Sequence, residues 1–165
     1  MGTYVVYTDA SSDHSVKGGG KNHGIGIAII HEKVLRVYSE HFKKDTSSNF
    51  AEIFAACRAI SMIPEGSVVL IRTDSQAAIE HLTRSTNSQK YITVKEVAWE
   101  HIARMHEVKF SHIKGHQGVD GDPYQNLVDR IANRARVDGV TFDENMYQYD
   151  ERVEKLGFRN FSMSG

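Results

Sequence analysis

Cysteine is almost missing from this chain: Cys57 stands alone. No intrachain disulfide can form, which is compatible with a reducing compartment. The nine histidines are not grouped at metal-ligand spacing, so by themselves they point to no metal site. No apolar run approaches the ~20 residues that a bilayer-spanning helix needs. The start of the chain lacks the basic-then-apolar form of a secretory leader. A cytoplasmic protein without membrane attachment is the expectation. A net positive charge is absent too, the formal balance being -1. Without a basic field over the whole molecule, any contact with nucleic acid must come from local patches. Repeats, low-complexity tracts and interdomain linkers are not found.

What is present is the composition of an ordinary globular domain, with 40% hydrophobic and 25% charged residues in a length of 165. That is enough chain to bury a core without metal or disulfide staples. Tyr4-Val5-Val6-Tyr7-Thr8-Asp9 is a β-branched and aromatic run that reads as a central strand, apolar on both faces and ending in a carboxylate. Open α/β sheets place their sites at such strand ends, although a lone Asp followed by Ala10 and Ser11 also suits a turn. A polar, glycine-rich loop spans Ser11–His23, without the spacing of a phosphate-binding fingerprint. Residues 24–30 and 34–42 form a hairpin, and 43–48 a polar link. A helix follows over 49–63, ended by Pro64 and Gly66. Its alanines Ala55, Ala56 and Ala59 line up with Glu52, which presses that carboxylate toward the sheet; equally, Asn49 and Glu52 have the form of a capping box.

Ser67–Asp74 is a second strand ending in Asp, and the helix 75–82 that follows admits Asp74 as its cap. A longer helix spans 92–106, with Val94, Val97, Ala98, Ile102 and Met105 on its buried side. Residues 108–114 alternate as a half-exposed strand. Gly115-His116-Gln117-Gly118 opens a loop, and a helix begins at Tyr124 or Gln125 and runs to Val137. Asp129 lies off its apolar stripe, as a solvated acid near a helix start also would; His116 can equally be a plain loop residue. Residues 138–165 carry Phe142, Tyr147, Tyr149, Leu156, Phe158 and Phe161, which is too aromatic for a floppy tail. Packing on the same domain is expected, with a protein partner as the alternative.

Asp9, Glu52, Asp74 and Asp129 stand at strand ends and helix starts. If they converge, they repel one another and call for cations at neutral pH. An all-oxygen donor set suits a hard cation, magnesium or manganese in its place. Two such ions suit phosphodiester hydrolysis.

Tyr7-Thr8-Asp9-Ala10-Ser11, Asn49-Phe50-Ala51-Glu52-Ile53, Thr73-Asp74-Ser75-Gln76, and Gly115-His116-Gln117-Gly118 through Asp129-Arg130-Ile131-Ala132 resemble type 1 ribonuclease H in order and spacing. The resemblance covers roughly residues 4–137. It implies a ribonuclease H-like α/β fold: a five-stranded mixed sheet flanked by helices on both faces. It implies an endonuclease that cleaves the RNA strand of an RNA/DNA hybrid with two Mg2+ ions, leaving 3′-hydroxyl and 5′-phosphate ends. Asp9, Glu52, Asp74 and Asp129 look like the metal-binding acids, and His116 like the histidine that assists leaving-group protonation or product release. Ser11, Ser48, Asn49 and Gln76 fall at expected hybrid contacts, and Lys17, Lys21, Lys43 and Lys44 are candidate phosphate contacts. A catalytic domain over 1–137, an extension over 138–165 and a monomer are expected. The chain departs from the family pattern at Ala10, where Gly is usual, and at Gln125, where Asn is common. It also lacks a basic, Trp-rich handle, since Thr86–Ile102 offers only Lys90 and Lys95. The competing readings are a hybrid-binding module without catalysis and a nuclease of the same fold acting on another duplex.

Overall fold

Val6, Tyr7, Thr8 and Asp9 are all buried, so the middle of the first strand is covered on both faces, as its sequence requires. The computed structural model describes residues 2–13, 20–115 and 121–147. Its strands are β1 (Thr3–Ser12), β2 (Gly20–His31), β3 (Val34–Thr46), β4 (Val68–Thr73), β5 (Glu107–His112) and β6 (Asp143–Tyr147). They form one sheet in the order β5-β4-β1-β2-β3-β6. β1 pairs antiparallel with β2 and parallel with β4, so it is the hinge between an antiparallel meander and a parallel half. The sheet has six strands where the sequence predicts five, a minor difference. The sixth, β6, adds antiparallel to the edge of β3.

The helices are α1 (Ser48–Ser61), α2 (Gln76–Leu82), α3 (Ile92–Ala103) and α4 (Pro123–Asp138). Helix α1 covers one face of the sheet: Ala55, Ala59, Ile60 and Ile63 pack with Val6, Ile25, Ile27, Val69 and Ile71. Helix α4 covers the other, where Leu127, Val128 and Ile131 meet Tyr7, Ala28, Leu35 and Val37. A third cluster, Ile53, Ala56, Cys57, Ala78, Leu82 and Ala98, joins α1 to α2 and α3. The alanines of α1 divide between neighbours, Ala55 and Ala59 in the sheet-facing cluster and Ala56 in the third.

Several boundaries move. The 43–48 link is mostly strand, since β3 continues to Thr46. Helix α3 ends at Ala103, three residues early, and its buried face differs from the expected one: Lys95 is 1% exposed while Val97 is 44% exposed. Helix α4 begins at Pro123, because Asp122 caps it and proline is well suited to a first helical turn.

Glycine decides how α4 sits. A Cβ on Gly26 would collide with the Val128 carbonyl oxygen and Ile131, and one on Gly24 with the Ala132 carbonyl and the Arg136 amide. Both glycines therefore let a helix backbone lie directly on β2. Gly26→Ala is expected to lower unfolding free energy by about 1–3 kcal/mol, the usual cost of overpacking. Urea denaturation of the variant checks this; an unchanged midpoint refutes it.

Candidate metal centre

Three carboxylates meet at the carboxyl ends of β1 and β4. Asp9 is near the end of β1, and its Oδ1 accepts a 2.9 Å hydrogen bond from the Ala10 amide. Asp74 immediately follows β4. Glu52 descends from α1 onto the same point. Each of the three offers an oxygen lying within 4.8 Å of the others. Asp129, half-buried on α4, adds its charge against both Asp9 and Glu52.

The local alternatives for these acids are resolved by the caps. Helix α1 is capped by Ser47, whose Oγ accepts from the Phe50 amide, so it starts one residue before Asn49, and Glu52 is not the reciprocal arm of a capping box. Helix α2 is capped by Ser75, whose Oγ accepts from the Ala78 amide, so Asp74 is not the cap. Asp129 lies seven residues beyond the cap of α4, past its first turn. Gly115, beyond β5, lies so close to Asp74 that a Cβ there would meet the carboxylate.

Burial is the main cause that holds the Asp9 and Glu52 carboxyls well above the usual carboxylate range. The charges of neighbouring acids add to it, and the Ala10 amide opposes it. Glu52 Oε1 is buried without a hydrogen-bond partner among the described residues. Buried, mutually repelling carboxylates, with Glu52 Oε1 unsatisfied among the described residues, fit a hard divalent cation. The lone thiol is no rival: burial pushes Cys57 up to about 11.

The other candidates divide. Ser48, Asn49 and Gln76 are exposed in the first turns of α1 and α2, and Lys21, Lys43 and Lys44 are exposed. Lys44 Nζ sits 5.3 Å from the centre of the Phe50 ring. Ser11 is engaged with α4, its Oγ donating to Asn133 at 3.3 Å and accepting from Arg136 Nε at 2.7 Å. Lys17 and His116 lie outside the described residues. Of the two lysines between Thr86 and Ile102, Lys95 is withdrawn: its ammonium donates to the Ser88 carbonyl at 2.8 Å and reaches His81 Nδ1 at 3.2 Å. The sequence reading also missed Ser47, whose Oγ is 2.6 Å from the Tyr91 hydroxyl and so ties α1 to the start of α3.

Comparison with known proteins gives this geometry a lineage. The sequence model of RNase H matches residues 1–137. The chain belongs to the RNase H family. It is 28% identical over 155 residues to a protein named Ribonuclease H from Clostridium botulinum, covering 82% of this chain and 96% of that one. Among solved structures, LC9-RNase H1, described as a type 1 RNase H with the type 2 active-site motif, superposes with a TM-score of 0.74 at 17% identity, covering 99% of this chain and 84% of that one. A foamy viral protease-reverse transcriptase in complex with double-stranded DNA superposes at 0.60 and 23% identity, covering 82% and 94%. These structures share the RNase H fold with the chain. They accord with the mixed sheet centred on β1, flanked by α1 and α4.

Proposed function

We propose that this RNase H family member is a divalent-metal-dependent endonuclease that hydrolyses the RNA strand of RNA/DNA hybrids, leaving 3′-hydroxyl and 5′-phosphate ends. The observation that carries the reading is the convergence of Asp9, Glu52 and Asp74 within 4.8 Å at the ends of β1 and β4, inside the matched region. Asp9, Glu52, Asp74 and Asp129 are the residues that would hold the metal. When bound, a pair of Mg2+ or Mn2+ ions supplies positive charge that polarises a phosphodiester and lowers the pKa of water. The chain contributes the rest. Its buried carboxylates fix the position of negative charge on a rigid sheet edge. Ser48, Asn49 and Gln76 present uncharged donors and acceptors beside the acids, suited to a minor groove and its 2′-hydroxyls. Lys21, Lys43 and Lys44 meet phosphates, which position a duplex without reading sequence. His116, next to Gly115, assists protonation of the departing 3′-oxygen. The catalytic domain spans 1–137, and the extension that follows begins with β6, which pairs with β3.

Cleavage of end-labelled RNA/DNA hybrid, single-stranded RNA and double-stranded RNA with Mg2+, and again with a chelator, tests this. Cutting of the hybrid RNA strand alone, lost on chelation, is the expected result. Equal cutting of all three substrates, or cutting that survives chelation, overturns it. A hybrid carrying one 2′-deoxy position beside the scissile phosphate tests recognition in particular. Cutting there is expected to fall by about 10-fold or more, equivalent to roughly one lost hydrogen bond of the stronger kind. An unchanged rate means that the sugar is not read.

A further inference from the structure

Beneath the acids lies a second triad that the metal reading leaves unused. Asp122 caps α4 with one oxygen, Oδ1 accepting from the Tyr124 amide at 2.9 Å and the Gln125 amide at 3.4 Å. Its other oxygen accepts from the Tyr7 hydroxyl at 2.7 Å and faces the Arg72 guanidinium at 3.5 Å. Arg72 Nη1 also donates to the Tyr7 oxygen at 2.7 Å, and the guanidinium lies 5.2 Å from the centre of the Tyr7 ring. Tyr7 and Arg72 are register partners across the parallel β1–β4 pair.

The spacing of this triad repeats that of the site. Tyr7 precedes Asp9 by two residues and Arg72 precedes Asp74 by two. A strand's period of two puts Tyr7 and Asp9 on one face, roughly 6–7 Å apart along the strand, and Asp74 directly follows the strand that carries Arg72. Asp122 precedes Asp129 by seven residues. Seven residues are close to two helical turns, so these two lie on one side of α4, about 10 Å apart. Each member of the lower triad thus lies a short distance along the chain from one acid above it: Tyr7 from Asp9 in β1, Arg72 from Asp74 just beyond β4, and the cap Asp122 from Asp129 in α4. The acids need such a device. They repel one another. Gly24 and Gly26 allow the helix to lie on β2 but do not fix how far it slides along it. A charged, doubly hydrogen-bonded cap gripped from two adjacent strands does fix that.

We propose that Tyr7, Arg72 and Asp122 form a positioning clamp that sets Asp129 against Asp9 and Asp74 before metal arrives, and so tunes metal affinity. This rests on the metal reading above. The clamp residues touch neither metal nor substrate; they act through the three acids.

Calorimetric titration with Mn2+ of wild type, Tyr7→Phe, Arg72→Met and Asp122→Asn tests it. Tyr7→Phe removes one hydroxyl, and Asp122→Asn keeps a capping oxygen, so both variants are designed to leave α4 folded. Ile63→Ala, a core truncation at the far end of the sheet, is the control for general destabilisation. The clamp variants are expected to bind Mn2+ about threefold to tenfold more weakly, with Arg72→Lys recovering part of the loss. Their turnover at saturating Mn2+ is expected to recover toward wild type, whereas Ile63→Ala keeps wild-type affinity despite a lower melting temperature. Wild-type affinity in Tyr7→Phe and Arg72→Met, or an equal loss in Ile63→Ala, overturns the clamp and leaves the metal reading intact. Failure of wild type itself to bind Mn2+ overturns both.

Discussion

Replacing Asp9 with Asn is expected to raise the melting temperature of the metal-free protein at pH 7 while lowering Mg2+-dependent hydrolysis by at least about 10³-fold. The two effects share one cause. In the absence of cations, Asp9 is an acid that is 3% exposed and whose ionised form is disfavoured by burial and by the charges of Glu52, Asp74 and Asp129. Asn has the same shape, can still accept from the Ala10 amide through its carbonyl oxygen, and carries no charge. Relief of the buried, repelled charge is worth on the order of 1–3 kcal/mol, or roughly 2–10 °C for a chain of this size. The pH dependence follows in sign. Burial and the neighbouring acids raise the folded-state pKa of Asp9, so the folded protein keeps the proton after the unfolded chain, titrating near 4, has released it. Stability from this group is full below the unfolded pKa and is lost as pH climbs through the raised folded value. The advantage of Asp9→Asn over wild type is therefore near zero around pH 4 and grows toward neutrality. Mg2+ or Mn2+ reverses the order, stabilising wild type and not the variant. The loss of hydrolysis reflects several kcal/mol of charge stabilisation forfeited with a metal ligand. Thermal melts in chelator from pH 4 to 8, paired with a hybrid cleavage assay, check both halves. A variant less stable than wild type in chelator at pH 7 sinks the electrostatic account, and one that retains turnover sinks the role of Asp9.

Which parts of this arrangement could be read beforehand follows from how local their causes are. The strands carrying Asp9 and leading to Asp74 were legible from their β-branched runs, but β1 continues past Asp9 to Ser12, paired with β2, where the sequence predicts its end at the carboxylate. The alanines of α1 were legible as a row, and the structure divides them between two clusters. The cap of α1 was not: Ser47, Ser48 and Asn49 are all good caps, and only the turn out of β3 selects Ser47. β6 was missed because Asp143, Glu144 and Asn145 are exposed and polar, as an edge strand tolerates. Lys95 looks like surface to any composition rule. It is buried because the Ser88 carbonyl and His81, from the preceding loop and helix, come to its ammonium. The Tyr7–Arg72–Asp122 contacts join residues 65, 115 and 50 positions apart, and no spacing rule reaches across those separations. Chemistry carried by one element was therefore visible, and whatever holds several elements in mutual position was not.

Gly115→Ala is expected to reduce kcat/KM on hybrid by about 10²-fold with little change in melting temperature. The three nearest atoms that a Cβ at this position would meet all belong to the Asp74 side chain. Among the described residues the positive-φ glycines are Gly66 and Gly139, so the φ of Gly115 gives no separate reason for glycine. The collision must therefore be relieved by Asp74 or by the segment carrying Gly115. That segment is tied down, because the Ile113 amide donates to the Thr73 carbonyl at 2.9 Å, one residue before Asp74. The Asp74 side chain is the group against which that Cβ would press. Its carboxylate would rotate away from the point it shares with Asp9 and Glu52, and the oxygen offered to a cation would leave that cluster. Displacing a reacting or ligating group by about 1 Å is enough for a rate loss of this order. The loss is expected to shrink as Mn2+ concentration rises, because a misplaced ligand weakens binding more than it alters the bound state. Gly115→Val extends the same collision and is expected to be worse in activity than Gly115→Ala. Steady-state kinetics across a Mn2+ series, with a melting curve for each variant, separates the explanations. Activity of Gly115→Ala within twofold of wild type would mean that Asp74 tolerates the methyl group. A large fall in melting temperature matching the fall in rate would mean that the glycine serves the fold and not the carboxylate.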